Sequence, residues 1–387
     1  MSFGIYVHVP FCLRRCGYCA FVTSAPGDDR VPWEDRHRTW ARSVVHEIGT
    51  AAALLGDHRP PVDTVYLGGG TPTAVDPDLV VAVLDATRRD LDVADDLEVT
   101  IECNPDGLRP GQLGRLVDGG VTRVSIGMQS ADPAVLRTLD RSHPWELAVA
   151  AVDDARSAGA AHVGLDLILG TPGETDESWC RTLDVALACD VDHLSAYALA
   201  VEPGTKLAAR VRGGSLPAPD PDAAARRYEL LDDACTAAGL QWYELSNWAA
   251  DDSARCRHNL GTWRDHDWWG VGPGAHSHVG SQRWWNHAAE REWATAVGEG
   301  RIPAAGHEVL DRAARRCERI MLGIRLREGL AVDEELDPGA VDALVADGLV
   351  DRRDGSTPGT RTGPGTDRIV LTRRGRLLAD AVVRRLV

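Results

Sequence analysis

The sequence predicts an α/β fold: a partial (β/α)6 barrel with a small helical, winged-helix-like module at its C-terminal end. Three observations carry this expectation. Short β-rich runs alternate with stretches whose apolar residues recur at helical spacing, the pattern of parallel strands joined by crossover helices. Six such units occupy roughly 200 residues, too few for a closed eight-fold barrel. Two breaks rich in Gly and Pro, at 213–222 and 354–367, then interrupt the later part of the chain.

Taken in order, strands are expected at 5–9, 64–67, 98–102, 122–126, 162–168 and 192–198, with a further one at 241–244. Helices are expected at 78–90, 111–118, 145–158 and 177–189, and beyond the first break at 223–238. These elements set the domain boundaries: a barrel over 1–240, a connecting segment over 241–305 and a terminal module over 306–387. In the module a helix from about Asp311 and a second near 338–347 precede two short strands, 349–352 and 368–371. The strands flank the polar loop 354–367, expected to be mobile, and a last helix carries Arg373, Arg374, Arg376, Arg384 and Arg385. Those arginines fit either a phosphate-contact face or a solvated helix.

Charge favours the second reading. Acidic residues number 58 against 42 basic ones, a net charge of -16, which repels phosphate backbones and anionic lipid. Neither nucleic acid nor a membrane surface is therefore an expected partner. No apolar run is long enough to span a bilayer, and the first residues lack a signal-peptide pattern, so a cytoplasmic location is expected. Of nine cysteines, three are crowded at Cys12, Cys16 and Cys19, which in a reducing compartment points to a metal site and not to disulfides.

The segment Tyr6-Val-His-Val-Pro-Phe-Cys12-Leu-Arg-Arg-Cys16-Gly-Tyr18-Cys19 places three thiols just after the first strand. Three thiolates can hold three corners of a [4Fe–4S] cubane and leave one iron without a protein ligand. Pro10 breaks the strand and Gly17 permits the turn, and the aromatic Tyr18 stands before the last cysteine. Three other readings remain open on spacing alone: buried structural thiols on one helical face, a zinc site completed by His8, and redox thiols. At the next strand end, Gly68-Gly69-Gly70-Thr71-Pro72 lets a backbone approach a ligand closely, a cradle for a polar head group.

Together these motifs resemble the radical S-adenosylmethionine (SAM) superfamily, with its CxxxCx(aromatic)C loop and GGGTP-type segment on successive strands. The subgroup resembled is that of oxygen-independent coproporphyrinogen III oxidase, over roughly residues 4–285. The resemblance implies SAM lying over the cluster, held by Tyr6, by Gly69, Gly70 and Thr71, and by Glu102 of Ile-Glu-Cys-Asn-Pro. It also implies contacts from Gln129, Arg141 and the ribose-side carboxylate Asp166, and a backbone contact from Ala198. The chemistry of the residues agrees: the carboxylates accept from an amine or hydroxyls, and Arg141 can pair with a carboxylate.

Within that subgroup the chain is most similar to the HemW heme chaperones. Cys256-Arg-His258-Asn259-Leu-Gly-Thr262-Trp263 resembles their HNxxYW segment, with Thr262 where tyrosine is usual, and the glycine-rich run ending at His276 is similar too. So is the C-terminal module, with a helix expected over 318–329. The oxidases have a further cysteine where Phe21 stands, and an N-terminal extension that this sequence is expected to lack. The resemblance implies a protein that binds heme and passes it to acceptor hemoproteins, with a second copy in a homodimer as a candidate partner, and not an active dehydrogenase. The alternative is decarboxylation of porphyrinogen propionates by a deoxyadenosyl radical; a zinc-bearing DNA binder is a third. His258, beside Trp263, Trp268 and Trp269, is the heme-ligand candidate, ahead of Cys256, His266, His276 and His278.

Overall fold

Strand one, Phe3–Val9 (β1), is buried at every position but Tyr6, as a parallel strand covered on both faces must be. The computed structural model describes residues 2–56, 60–141, 143–353 and 367–387. The other strands of the large sheet are Val62–Gly69 (β2), Val93–Cys103 (β3), Arg123–Gln129 (β4), His162–Leu169 (β5), His193–Ala198 (β6), Gln241–Glu244 (β7), Asn247–Ala249 (β8), Asp267–Val271 (β9), His276–Val279 (β10), Gln282–Asn286 (β11) and Ala304–Val309 (β12). Their order is β12-β11-β10-β9-β1-β2-β3-β4-β5-β6-β8-β7. Strands β1 to β6 run parallel in sequence order, as expected. Strand β9 adds a seventh parallel strand beside β1, and antiparallel ribbons extend both ends, so the barrel stays open.

Helices Trp33–Leu55 (α1), Pro77–Asp90 (α2), Gln112–Asp118 (α3), Pro133–Thr138 (α4), Trp145–Ser157 (α5), Asp176–Ala188 (α6), Lys206–Arg212 (α7) and Pro221–Ala237 (α8) accompany the parallel strands. Helix α1 is not among the helices expected from the sequence, for a physical reason. Its buried face mixes Trp40, Val44 and Ile48 with buried Arg36, His37 and Glu47, so the apolar stripe is broken. Glu47 is held by three donors: Gly272 N–H at 2.9 Å, Asn286 Nδ2 at 2.7 Å and Trp293 Nε1 at 2.8 Å. One carboxyl thus ties α1 to the residue just after β9, to β11 and to the helix Glu290–Gly298. That helix is α10, and α9 is Arg257–Trp263.

The terminal module comprises Arg312–Gly323 (α11), Pro338–Ala346 (α12), Arg373–Leu377 (α13) and Ala379–Leu386 (α14) around a small sheet. Its strands Leu330–Ala331 (β13), Val350–Arg353 (β14) and Arg368–Leu371 (β15) lie in the order β13-β15-β14. Helix α11 starts where the module's first helix is expected, at Asp311, whose carboxylate caps Ala314 N–H at 2.8 Å; the bounds 318–329 that go with the resemblance are corrected to Arg312–Gly323. Most of the loop expected to be mobile, 354–366, lies outside the described residues. Four of the five arginines of the last segment, Arg373, Arg374, Arg376 and Arg385, are engaged internally. Arg376 forms a bidentate pair with Asp232 at 2.9 and 2.5 Å, and Arg373 reaches Asp233 at 2.7 Å, fastening the module to α8. Arg385 pairs with Asp347.

Candidate functional site

Strand ends fix the thiol loop before any cofactor is considered. Beyond Val9, Pro10 carbonyl accepts from Ser24 N–H at 2.6 Å and Cys12 N–H donates to Ser24 carbonyl at 2.9 Å. Farther along, Gly17 N–H donates to Leu139 carbonyl and Gly17 carbonyl accepts from Leu207 N–H at 2.7 Å. The triple-glycine turn is laced to the same loop. Gly70 N–H donates to Val9 carbonyl at 2.8 Å, and Thr71 N–H to Phe11 carbonyl at 2.7 Å. A Cβ on Gly70 would lie 2.6 Å from the Val9 oxygen; one on Gly69, at φ +100°, would lie 2.4 Å from the His8 ring. Only glycine permits this approach.

The result is a cavity of about 630 Å³ at the carboxyl ends of the strands, where parallel sheets bind ligands. Cys12, Cys16 and Cys19 all line it, facing Gly69, Gly70 and Thr71. Thr71 Oγ1 donates to Cys12 Sγ at 3.6 Å and Arg141 Nη1 donates to Cys16 Sγ at 3.2 Å. Burial pushes the Cys12 thiol up to about 11, so this thiol loses its proton when positive charge arrives to replace the lost solvent. Among the described residues no three His, Cys, Asp or Glu side chains converge closely enough for a single metal ion. The thiols share a cavity, not a point, and their donor chemistry fits a cluster.

The remaining lining residues are polar groups from successive strands. Glu102 accepts from Tyr66 O–H at 2.9 Å and Gly69 N–H at 3.1 Å, yet burial drives its carboxyl up to about 7. Asp166, raised chiefly by burial, accepts from Ser125 Oγ at 2.9 Å. Two desolvated carboxyls on one wall favour a ligand offering an amine and hydroxyls. Arg141 is held by Asn104 Oδ1 and Gly127 carbonyl, each at 2.7 Å, and its buried Nε has no partner. Gln129, at φ 66°, closes β4 in a conformation unusual for a non-glycine residue, at a register shift. Tyr18 and Ala198 also line the cavity.

Two residues singled out in the sequence lie outside this cavity. Tyr6 O–H donates to His8 Nδ1 at 3.0 Å, and His8 Nε2 donates to Val22 carbonyl at 2.8 Å, so this pair steadies the chain just past Cys19. His258 sits under the barrel floor. Glu98 of β3 accepts from Arg257 and His258 N–H, both at 3.1 Å, capping α9. The His258 ring lies 2.9 Å from Thr64 Oγ1 and stacks on Tyr66 with centroids 5.1 Å apart. The space beside it is about 10 Å³, room for one water and not for a porphyrin. Its motif neighbours Cys256 and Asn259 do line the main cavity, as do Tyr66, Asn104 and Ser125. Cys256 is weighed on the sequence alone only as a rival heme ligand, and the other four are not site candidates there; their only signal is adjacency to the motifs.

Comparison with known proteins points the same way. The family model of the radical SAM superfamily matches residues 6–186. Over all 387 residues the chain is 46% identical to the heme chaperone HemW of Mycobacterium tuberculosis, covering 95% of that protein. It is 36% identical to the mitochondrial radical S-adenosyl methionine domain-containing protein 1 of Mus musculus, over 87% of this chain and 74% of that one. In fold, coproporphyrinogen III oxidase HemN from Escherichia coli superposes with a TM-score of 0.81, covering 99% of this chain and 89% of that one at 22% identity. The chain belongs to the radical SAM superfamily, in the family of the HemW heme chaperones.

Proposed function

We propose that this protein binds heme and delivers it to acceptor hemoproteins, carrying a [4Fe–4S] cluster on Cys12, Cys16 and Cys19 with SAM beside it. The observation that carries the reading is the 46% identity to a HemW heme chaperone over the whole chain. Membership of the superfamily implies the cluster and SAM. Once bound, such a cluster supplies an iron that can chelate an amino acid and pass it an electron. The chain's own residues then divide the work. Gly69, Gly70 and Thr71 receive the head group, Glu102 accepts its amine, Asp166 accepts hydroxyls, and Arg141 neutralises carboxylate and thiolate charge. Among the described residues no helix is long and apolar enough to cross a membrane.

Heme titration and a coproporphyrinogen assay on one anaerobically reconstituted sample test the proposal. Heme is expected to give a new Soret band, and mixing with an apo-hemoprotein is expected to move that band to the acceptor. Conversion of coproporphyrinogen III in the presence of SAM and reductant would replace this reading with the oxidase.

A further inference from the structure

We infer that Tyr66 couples the SAM cradle to His258, so that a ligand in the cradle holds the imidazole in its seat and opposes heme binding. This inference rests on the proposed heme-carrying function, with His258 as the iron ligand, and gives that function a positioning residue.

Tyr66 belongs to both sites. It lines the main cavity, and its O–H donates to Glu102 Oε1 at 2.9 Å, on the carboxyl that also accepts from Gly69 N–H. Gly68 makes room for this pair: a Cβ there would lie 2.8 Å from the Tyr66 ring and 2.9 Å from the Glu102 carboxyl carbon. The same ring receives His258, with 5.1 Å between centroids and 29° between planes. Tyr6 adds a third ring, its centroid 6.3 Å from that of Tyr66 and 6.5 Å from that of His258, at 28° and 30°. One phenol therefore spans the wall between the cavity and the floor.

The seat is closed. Thr64 Oγ1 lies 2.9 Å from His258 Nδ1, a Cβ on Gly4 would lie 3.1 Å from the same nitrogen, and the adjoining space is about 10 Å³. An iron meets this imidazole only after the ring has left Tyr66. That move leaves the sheet in place, because the ring belongs to α9, a helix of seven residues against the floor. The cradle acts on the seat through charge. An ammonium beside Glu102 fixes the negative charge on that carboxyl, and a charged acceptor holds a phenol O–H about twice as strongly as a neutral one. Tyr66 is then pinned where it encloses His258. With the cradle empty the bond is weaker, and the ring parts from the imidazole more readily. The effect is reciprocal: heme on His258 takes the stack apart and loosens Tyr66 on Glu102.

Heme titration of the reconstituted full-length protein, with and without SAM at saturation, tests the coupling. SAM is expected to weaken heme binding about five- to tenfold in the unaltered protein. Heme is expected to weaken SAM binding by the same factor in equilibrium dialysis. Y66F keeps the stacked ring and loses the O–H, so it is expected to keep its iron content and bind heme, with the influence of SAM reduced to less than about twofold. Heme binding indifferent to SAM in the unaltered protein would overturn the coupling and leave the heme-carrier reading intact. So would an undiminished influence of SAM in Y66F, the result of direct competition within the cavity, and so would heme affinity of wild-type strength in H258A. Failure of the unaltered protein to bind heme at all would overturn both.

Discussion

Replacing Cys12, Cys16 or Cys19 singly by alanine is expected to leave reconstituted protein nearly free of iron, against about four irons per chain in the unaltered protein. A cubane held by three thiolates has no spare protein ligand, so losing one leaves two corners open to solvent. The fold should survive. The loop is held through its backbone, by Cys12 on Ser24, Gly17 on Leu139 and Leu207 on Gly17, and none of these bonds uses a thiol. Cys235, buried under the sheet and remote from the cavity lining, is the matched control: Cys235→Ala should keep its full iron content. Iron analysis and the charge-transfer absorption check the loss, and far-ultraviolet circular dichroism checks the fold. Retention of four irons in any of the three variants contradicts the ligand assignment.

Glu47→Ala is expected to be the most destabilising substitution away from the thiol loop. The change removes the acceptor shared by Gly272 N–H, Asn286 Nδ2 and Trp293 Nε1, all buried. Asn286 Nδ2 keeps a second acceptor in Gly272 carbonyl at 2.9 Å, so two donors are left stranded. At about 1–3 kcal/mol for each, the loss is on the order of 4 kcal/mol. Denaturant unfolding of the apo-protein measures it, and a change below about 1 kcal/mol would contradict the assigned role. The carboxyl also gives a pH signature. Burial raises it to about 7, so the folded state holds its proton more tightly than the unfolded chain does. Its contribution is therefore complete below about pH 4.5 and falls as pH rises towards 7. Glu47→Gln does not titrate, so the stability gap to the unaltered protein should narrow across that interval.

The parallel strands and the thiol loop are legible in the sequence because their signals are local. Runs such as Ile5–Val9 are apolar on both faces, and the cysteine spacing and the Gly69–Gly70 turn express chemistry within a few residues. The antiparallel extension is not legible. Strands β8 to β12 are three to six residues long and mix Trp, His and Gly without clean alternation, so their pairing is decided by tertiary contacts. The start of α11 near Asp311 is legible, but the bounds 318–329 lie too late because the apolar residues Ile320, Met321 and Leu322, with Ile324 at the C-cap, gather past the polar first turn that Asp311 caps. The seat of His258 is equally hidden. Nothing in Cys-Arg-His-Asn announces that Glu98, on a distant strand, caps the helix or that Tyr66 receives the ring.

Electron paramagnetic resonance of the reduced, reconstituted protein, recorded with and without SAM, addresses the iron corner left free by three cysteines. SAM is expected to shift the g values, and SAM labelled with 15N at its amino group is expected to add a hyperfine coupling. A spectrum of a [4Fe–4S] cluster unchanged by saturating SAM, with no coupling to the label, would contradict an open iron facing the Gly69–Thr71 cradle.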